Sequence, residues 1–341
     1  MAISDARRPI VRFAAYLLFA LLAVPLAARA ADDSSAQARQ WLEKMEHAVK
    51  TMNYEGSFVY IHGDHLEAMR IVHVADKSGE HERLLSLNGA AREILRDNDM
   101  LTCILPDTRS VVVEKSRPRK YIPAGLLKLD KKLFRHYEFK MLGQDRMTGR
   151  AAQVIEVKAR DQYRYGYRLW LDRATGMLLK SDLVDGHGMP VEQMMFTSIR
   201  MDKEIPPSAL KPVISGKGYK WFRQEKPPWA PNREERAWKV TRLPPGFTMS
   251  MHVAHDMPVS VMPVDHMMFT DGLASVSVYV EEPDKKEKPF NGTSRMGAVN
   301  AFGKVIAGHQ VTVVGEVPKA TVMMIGESVR YEPDVGTGDH P

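Results

Sequence analysis

The chain has 341 residues, 48 Lys and Arg against 42 Asp and Glu, and a formal net charge of +6; half of that excess sits in one N-terminal stretch holding Arg7, Arg8, Arg12 and Arg29 beside Asp5. The remainder carries too little positive charge for a nucleic-acid footprint, so no nucleic-acid partner is expected, while the length suffices for two domains that each bury a core. Cys103 is the one cysteine, which excludes an internal disulfide and leaves stability to packed cores.

Arg7, Arg8 and Arg12 precede an apolar run from Phe13 to Ala28, and Ala28-Arg29-Ala30 closes it with small residues where a signal peptidase reads. This is the three-part pattern of a secretory signal peptide. The run is shorter than the about 20 apolar residues of a membrane span. Residues 1–30 are therefore expected to be removed, leaving a mature chain from about Ala31 outside the cytoplasm.

Ser34 or Ser35 is placed to cap a helix reaching about Met52, because Trp41, Leu42, Met45, Ala48, Val49 and Met52 recur at helical spacing. From Tyr54 the period shortens to that of strands: Gly56 to His62, Leu66 to Ala75, Glu82 to Leu87, Arg92 to Arg96, Met100 to Leu105 and Arg109 to Lys115. Turn pairs such as Gly63-Asp64, Ser78-Gly79, Asn88-Gly89 and Asp97-Asn98 separate them, as in an antiparallel meander. Cys103 falls in one of these runs and is expected to be a buried strand residue.

Between Tyr121 and Tyr137, Leu126, Leu129, Leu133 and Phe134 at helical intervals predict one or two helices. A second β series follows at Ala151 to Ala159, Arg164 to Asp172, Met177 to Val184 and Val191 to Met201. Residues 31–210 then make a first domain, in which about ten strands with a helix laid against them form a half-open antiparallel barrel. Pro-rich, charged residues 211–236 read as a linker. Strands at Trp238 to Val240, Phe247 to Val253, Val259 to Val264, His266 to Thr270, Ala274 to Glu281 and Gln310 to Gly315, with helices at Arg295 to Ile306 and Lys319 to Ser328, predict a smaller α+β domain over residues 237–331. Residues 332–341 are expected to form a disordered tail. The class is α+β.

Catalytic signatures are absent. There is no Gly-x-Ser-x-Gly, no His-Glu-x-x-His and no glycine-rich phosphate loop. His62, Asp64 and His65 share a turn, and His252, His255 and Asp256 lie near Asp265-His266; in a strand, i and i+3 face opposite ways, so these pairs read as loop and surface histidines rather than metal ligands. Neither a metal nor another cofactor is expected, and the chain reads as a binder rather than an enzyme.

Gly149-Arg150-Ala151-Ala152-Gln153-Val154-Ile155, Tyr167-Arg168-Leu169-Trp170-Leu171-Asp172-Arg173-Ala174-Thr175-Gly176 and Leu183-Val184-Asp185 resemble outer-membrane lipoprotein carriers. In that superfamily an unclosed barrel with a helical lid holds acyl chains. Leu243-Pro244-Pro245-Gly246-Phe247, the run from Phe269 through Asp271 to Glu281 and the run from Gly308 to Pro318 are similar to the MucB/RseB family, as are Trp41-Leu42-x-x-Met45 and Tyr54-x-Gly56-x-Phe58-Val59-Tyr60. That resemblance covers essentially the whole mature chain. It implies a periplasmic negative regulator of the envelope-stress sigma factor that binds the periplasmic segment of a single-pass anti-sigma factor, shields it from a site-one protease, and is released by lipid A, lipopolysaccharide or another acylated ligand.

On alternation, the implied acyl cavity is placed among Phe58, Tyr60, Val72, Tyr167, Leu169, Met194 and Phe196, and the partner contact near Phe269, Leu273, Val276, Val278 and Tyr279. Two other readings stay open: a periplasmic lipid or lipoprotein carrier, and an exported hydrolase using His255 and Asp256. Whether the chain forms a homo-oligomer is left open as well.

Overall fold

The computed structural model describes residues 33–115, 122–127, 130, 132–201, 204–223, 237–256, 263–283 and 288–332. The expected leader, residues 224–236 of the expected linker, residues 257–262 and the expected tail beyond Glu332 lie outside them.

The fold is mostly β-sheet with few helices. After helix α1 (residues 33–51) come β1 (Tyr54–His62), β2 (His65–Asp76), β3 (Gly79–Ser86), β4 (Glu93–Asp97), β5 (Met100–Leu105) and β6 (Ser110–Lys115). A 3-10 turn at Ala124–Leu127 and the short helix α2 (Leu133–His136) lead to β7 (Tyr137–Met147), β8 (Arg150–Ala159), β9 (Gly166–Asp172), β10 (Leu178–Val184) and β11 (Pro190–Arg200). Antiparallel pairing of β1 with β11, Phe58 opposite Phe196 and Tyr60 opposite Met194, joins the two meanders. With β12 (Lys220–Arg223), which runs parallel to β6, they make one 12-stranded sheet in the order β12-β6-β5-β4-β3-β2-β1-β11-β10-β9-β8-β7.

Helix α1 buries Ala38, Leu42, Met45, Ala48 and Val49 completely, the spacing of a single apolar face. That face meets Phe58, Met69, Ile71, Ile155, Leu169, Met194 and Phe196 in the main core. The helix starts ahead of the expected serine cap. Ser34 instead accepts the Met141 N–H of β7 at 3.1 Å, and Ser35 accepts from Arg39 at 3.3 Å. Cys103, on β5, is only partly buried.

A second sheet holds β14 (Thr248–Asp256), β15 (Pro263–Thr270), β16 (Ser275–Glu281), β17 (Gly292–Met296), β18 (Val299–Ile306) and β19 (His309–Gly315) in the order β14-β15-β16-β19-β18-β17. Helix α3 (Lys319–Glu327) packs Val322 and Ile325 on its core, and β13 (Trp238–Val240) pairs with β20 (Val329–Tyr331) beside it.

Three expectations need correction. The helix predicted for Arg295 to Ile306 is the β17–β18 hairpin: Gly297 at φ +60° reverses the chain, so the apolar residues are read with period two and not 3.6. Among the described residues between Tyr121 and Tyr137, the one or two helices expected are two single turns, and Tyr137–Met147 is an 11-residue strand at the sheet edge. Part of the predicted linker is anchored to the first sheet. The buried Glu93 carboxylate takes the N–H groups of Val213 (3.0 Å) and Ile214 (2.8 Å) as well as Arg83 Nε at 2.5 Å, and Lys220–Arg223 follows as a strand.

The two sheets meet at a buried ion pair. Arg164, just before β9, directs Nη1 to Asp271 Oδ2 at 2.6 Å, Nε to Asp161 at 3.0 Å and Nη2 to the Pro245 carbonyl at 2.5 Å, and both Arg164 and Asp271 side chains are fully enclosed. The guanidinium lies near the Tyr137 and Phe247 rings, 5.6 and 5.2 Å from their centroids. Asp271 spends its other acceptor sites on the Tyr137 hydroxyl at 3.0 Å and on the N–H groups of Leu273 and Ala274 at 2.9 and 2.7 Å. Backbone closeness adds to the joint: a Cβ on Gly125 would stand 2.5 Å from the Gly272 carbonyl. Thr321 of α3 donates to the Tyr163 carbonyl at 2.6 Å, and Asn300 of β18 donates to the Tyr165 hydroxyl at 3.1 Å.

Removing one member of such a pair strands the other charge in a dry site, so Asp271→Ala should cost about 3–5 kcal/mol in chemical denaturation, and the apolar double variant Arg164→Met with Asp271→Leu should regain most of it. A loss within about 0.5 kcal/mol, the range of surface substitutions, would refute a closed joint. Burial, then the Asp271 charge, push the Tyr137 phenol well above its ordinary range. Folded Tyr137 therefore keeps its proton where an unfolded tyrosine, with a pKa of about 10, has lost it. The unfolded state binds fewer protons there, so this contribution is intact below pH 10 and stability falls as pH rises beyond it. Denaturation midpoints of wild type and Tyr137→Phe across this alkaline range should diverge, with the variant falling less steeply.

Candidate functional site

Strand register decides which of the sequence candidates converge. Phe58 faces Phe196 and Tyr60 faces Met194 across β1 and β11; Met194 and Leu169 both face Ser181 of β10, and Tyr167 faces Leu183. Directly opposed residues share a face. Phe58, Tyr60, Tyr167, Leu169, Met194 and Phe196 thus line one surface of the first sheet, the one covered by α1. Val72 does not join them: it opposes Glu55, while its β2 neighbours Met69 and Ile71 enter the core under α1, so the pleat sends it to the other face.

Depth divides the six that converge. Phe58 and Phe196 pack edge to face at 5.6 Å beneath α1, and Leu169 is fully enclosed, so these three are closed core. Toward the second sheet the same face opens into a crevice. One lobe, about 200 Å³, is lined by Tyr137, Tyr165, Tyr167 and Leu183 of the first sheet side and by Leu273, Ala274, Ser275 and Glu316 of the second. An adjoining lobe of about 40 Å³ shares Tyr167, Leu183 and Glu316 and adds Tyr60, Pro123, Ser181, Glu192, Gln193 and Met194. The Tyr60 hydroxyl donates to Glu192. Burial pushes the Tyr167 phenol far up, reinforced by the charges of Glu316, Glu192 and Asp271.

Of the residues placed at the partner contact, Leu273 lines this crevice from the β15–β16 turn. Phe269, Val276 and Val278 are enclosed in the core of the second sheet. Tyr279 lies on the opposite face from Val278, stacked on His266 with ring centroids 4.2 Å apart. The histidines make carboxylate pairs: His62 with Glu67 at 3.2 Å, His65 with Asp64 at 3.3 Å and His252 with Asp265 at 2.8 Å. Among the described residues no group of three or more His, Cys, Asp or Glu is arranged to hold a metal ion; the side chains of His255 and Asp256 lie outside them.

The alternation reading passed over Tyr137, Tyr165, Leu183, Glu192 and Glu316. One signal was available, since Tyr165 and Tyr167 stand two apart at a strand start and so share a face. Glu316 comes from the second sheet, and no local pattern brings it to the first.

Residues 37–214 match the family described as the MucB/RseB N-terminal domain, and residues 232–330 the MucB/RseB C-terminal domain. The chain is 32% identical over 328 residues to the sigma factor AlgU regulatory protein MucB of Pseudomonas aeruginosa, covering 93% of this chain and 96% of that protein. It is 26% identical over 302 residues to the sigma-E factor regulatory protein RseB of Escherichia coli strain K12, covering 85% and 89%. Among solved structures, the Pseudomonas aeruginosa MucA/MucB complex is similar with a TM-score of 0.68 at 30% identity, across 87% of this chain and 99% of that one. Matched along both of its sheets, this chain belongs to the MucB/RseB family.

Proposed function

We propose that the chain is an exported, non-catalytic negative regulator of an envelope-stress sigma factor. It binds the periplasmic segment of a membrane anti-sigma factor in the crevice between its sheets and withholds that segment from site-one proteolysis. The observation that carries this reading is the likeness, over most of the chain, to a relative solved in complex with MucA. The division into domains at residues 31–210 and 237–331, with the connecting segment anchored as far as Arg223, belongs to the same proposal, as does a periplasmic location for the mature chain. At saturation the mature protein should slow site-one cleavage of the anti-sigma segment; unchanged cleavage would overturn the reading.

Release by an acylated ligand is the second part of the proposal. The 12-stranded sheet, open between its ends β12 and β7, is read as a half-barrel with α1 as its lid. Phe58, Leu169, Met194 and Phe196 form an apolar floor that an acyl chain reaches once α1 lifts. A ligand taken up there weakens peptide binding only by its differential affinity for free and peptide-bound forms. Ser34 and Met141 touch where α1 meets β7, so Ser34→Cys with Met141→Cys in a Cys103→Ser background pins the lid. The oxidised variant should still protect the peptide yet lose release by lipid A. Release that persists with the disulfide closed would refute the lid. The same floor is the one feature that favours a lipid-carrier role.

A further inference from the structure

We infer that the β12 edge of the first sheet, with the loop before it, docks the protein on an anionic phospholipid surface. Among the described residues Trp221 is the one tryptophan more than half exposed, at 55%, and its neighbour Phe222 is 46% exposed. Adjacent strand residues point to opposite faces, so the two rings straddle the edge. Positive charge gathers around them. Residues 205–223 hold Lys211, Lys217, Lys220 and Arg223, all exposed, and no Asp or Glu. Residues 106–115, which carry β6 and the turn before it, add Arg109 and Lys115 against Asp107 and Glu114. Six cations against two carboxylates is a larger excess than the whole chain carries beyond residue 30.

The edge is firmly seated. Lys220 donates its N–H to the Arg109 carbonyl at 2.9 Å, Trp221 and Phe222 lie opposite Val111 and Val112 of β6, and Ile214 and Tyr219 pack on Ile104, Val111 and Val113. Lys220 and Arg223 bracket the rings on the strand itself, and charges in that position oppose pairing with another strand. A phospholipid surface suits the remaining chemistry: aromatic rings settle at the level of the head groups, while Lys and Arg meet the phosphates. Docking here uses none of the residues that line the crevice between the sheets.

The test is co-sedimentation of the mature chain with vesicles of phosphatidylcholine alone and of phosphatidylcholine mixed equally with phosphatidylglycerol. Wild type should bind the mixed vesicles about tenfold or more tightly than the neutral ones, and added salt should shrink the difference. Lys217→Gln with Lys220→Gln and Arg223→Gln should remove that preference. Arg146→Gln with Lys158→Gln and Lys288→Gln, exposed cations elsewhere, should keep it. Trp221→Ser with Phe222→Ser should weaken binding to the mixed vesicles by about tenfold; if this variant does not fold, the two charge variants decide. Equal loss from both charge variants would reduce the effect to net charge and overturn the inference, as would absence of binding by wild type. Vesicle binding left unchanged by the β12 variants would overturn it too, and a loss of affinity for the anti-sigma periplasmic segment in its place would assign the edge to a protein.

Discussion

The arrangement of the two sheets depends on the enclosed pair Arg164–Asp271. Taking both charges out of water costs several kcal/mol per ion, and their attraction offsets this only when the remaining donors and acceptors are used. Here three Arg164 nitrogens bond Asp271, Asp161 and the Pro245 carbonyl, and the Asp271 oxygens take the Tyr137 hydroxyl, two turn N–H groups and the guanidinium. That complete set exists in one relative placement of the sheets. The pair therefore fixes orientation more than it adds stability, and the crevice beside it, built from residues of both sheets, inherits its shape from that placement.

Peptide crevice and lipid floor are two stretches of one surface on the proposed reading. Met194 belongs to both: it lines the small lobe beside Tyr60 and is buried in the core that α1 covers. The strand rung Leu169–Ser181–Met194–Tyr60 connects closed core to open crevice in four adjacent strands. Displacing α1 would free Met194 and, through the Tyr60–Glu192 hydrogen bond, disturb a crevice carboxylate. Coupling of this kind needs no long pathway, because the two sites share side chains.

Local periodicity made much of the first sheet legible. The helical face of α1 and the hairpins with glycine-bearing turns have periods of 3.6 and two that no tertiary contact overrides. What failed did so where composition and structure part company. Pro-rich surroundings hid β12, and a glycine turn inside an apolar run hid the β17–β18 hairpin. Alternation found the shared face of Phe58, Tyr60, Tyr167, Leu169, Met194 and Phe196 but carries no depth, so it could not tell the enclosed Phe58 from the crevice-lining Tyr60. Val72 was misplaced because its apolarity said nothing of strand phase. The ion pair was out of reach altogether, since Arg164 and Asp271 are 107 positions apart, one reading as the end of a strand and the other as an ordinary turn residue.

A single cysteine means that no intrachain disulfide limits separation of the sheets. The joint opposes their separation through its geometry, since parting the sheets returns both ions to water and loses only the net worth of the pair, not the about 3–5 kcal/mol lost when one partner is deleted and the other charge stays buried. Moving a two-state equilibrium from 1:99 to 99:1 needs a differential affinity of about 5.5 kcal/mol. On the proposed reading, a ligand that shifts the protein between two such states must supply a differential affinity of that order, which weak contacts cannot. On that reading the regulator would hold its partner against small fluctuations and yield only to a ligand whose affinity for the rearranged form exceeds that for the closed form by roughly four orders of magnitude. A buried ion pair suits that task better than an apolar seam, because its hydrogen bonds fail together once the geometry is lost.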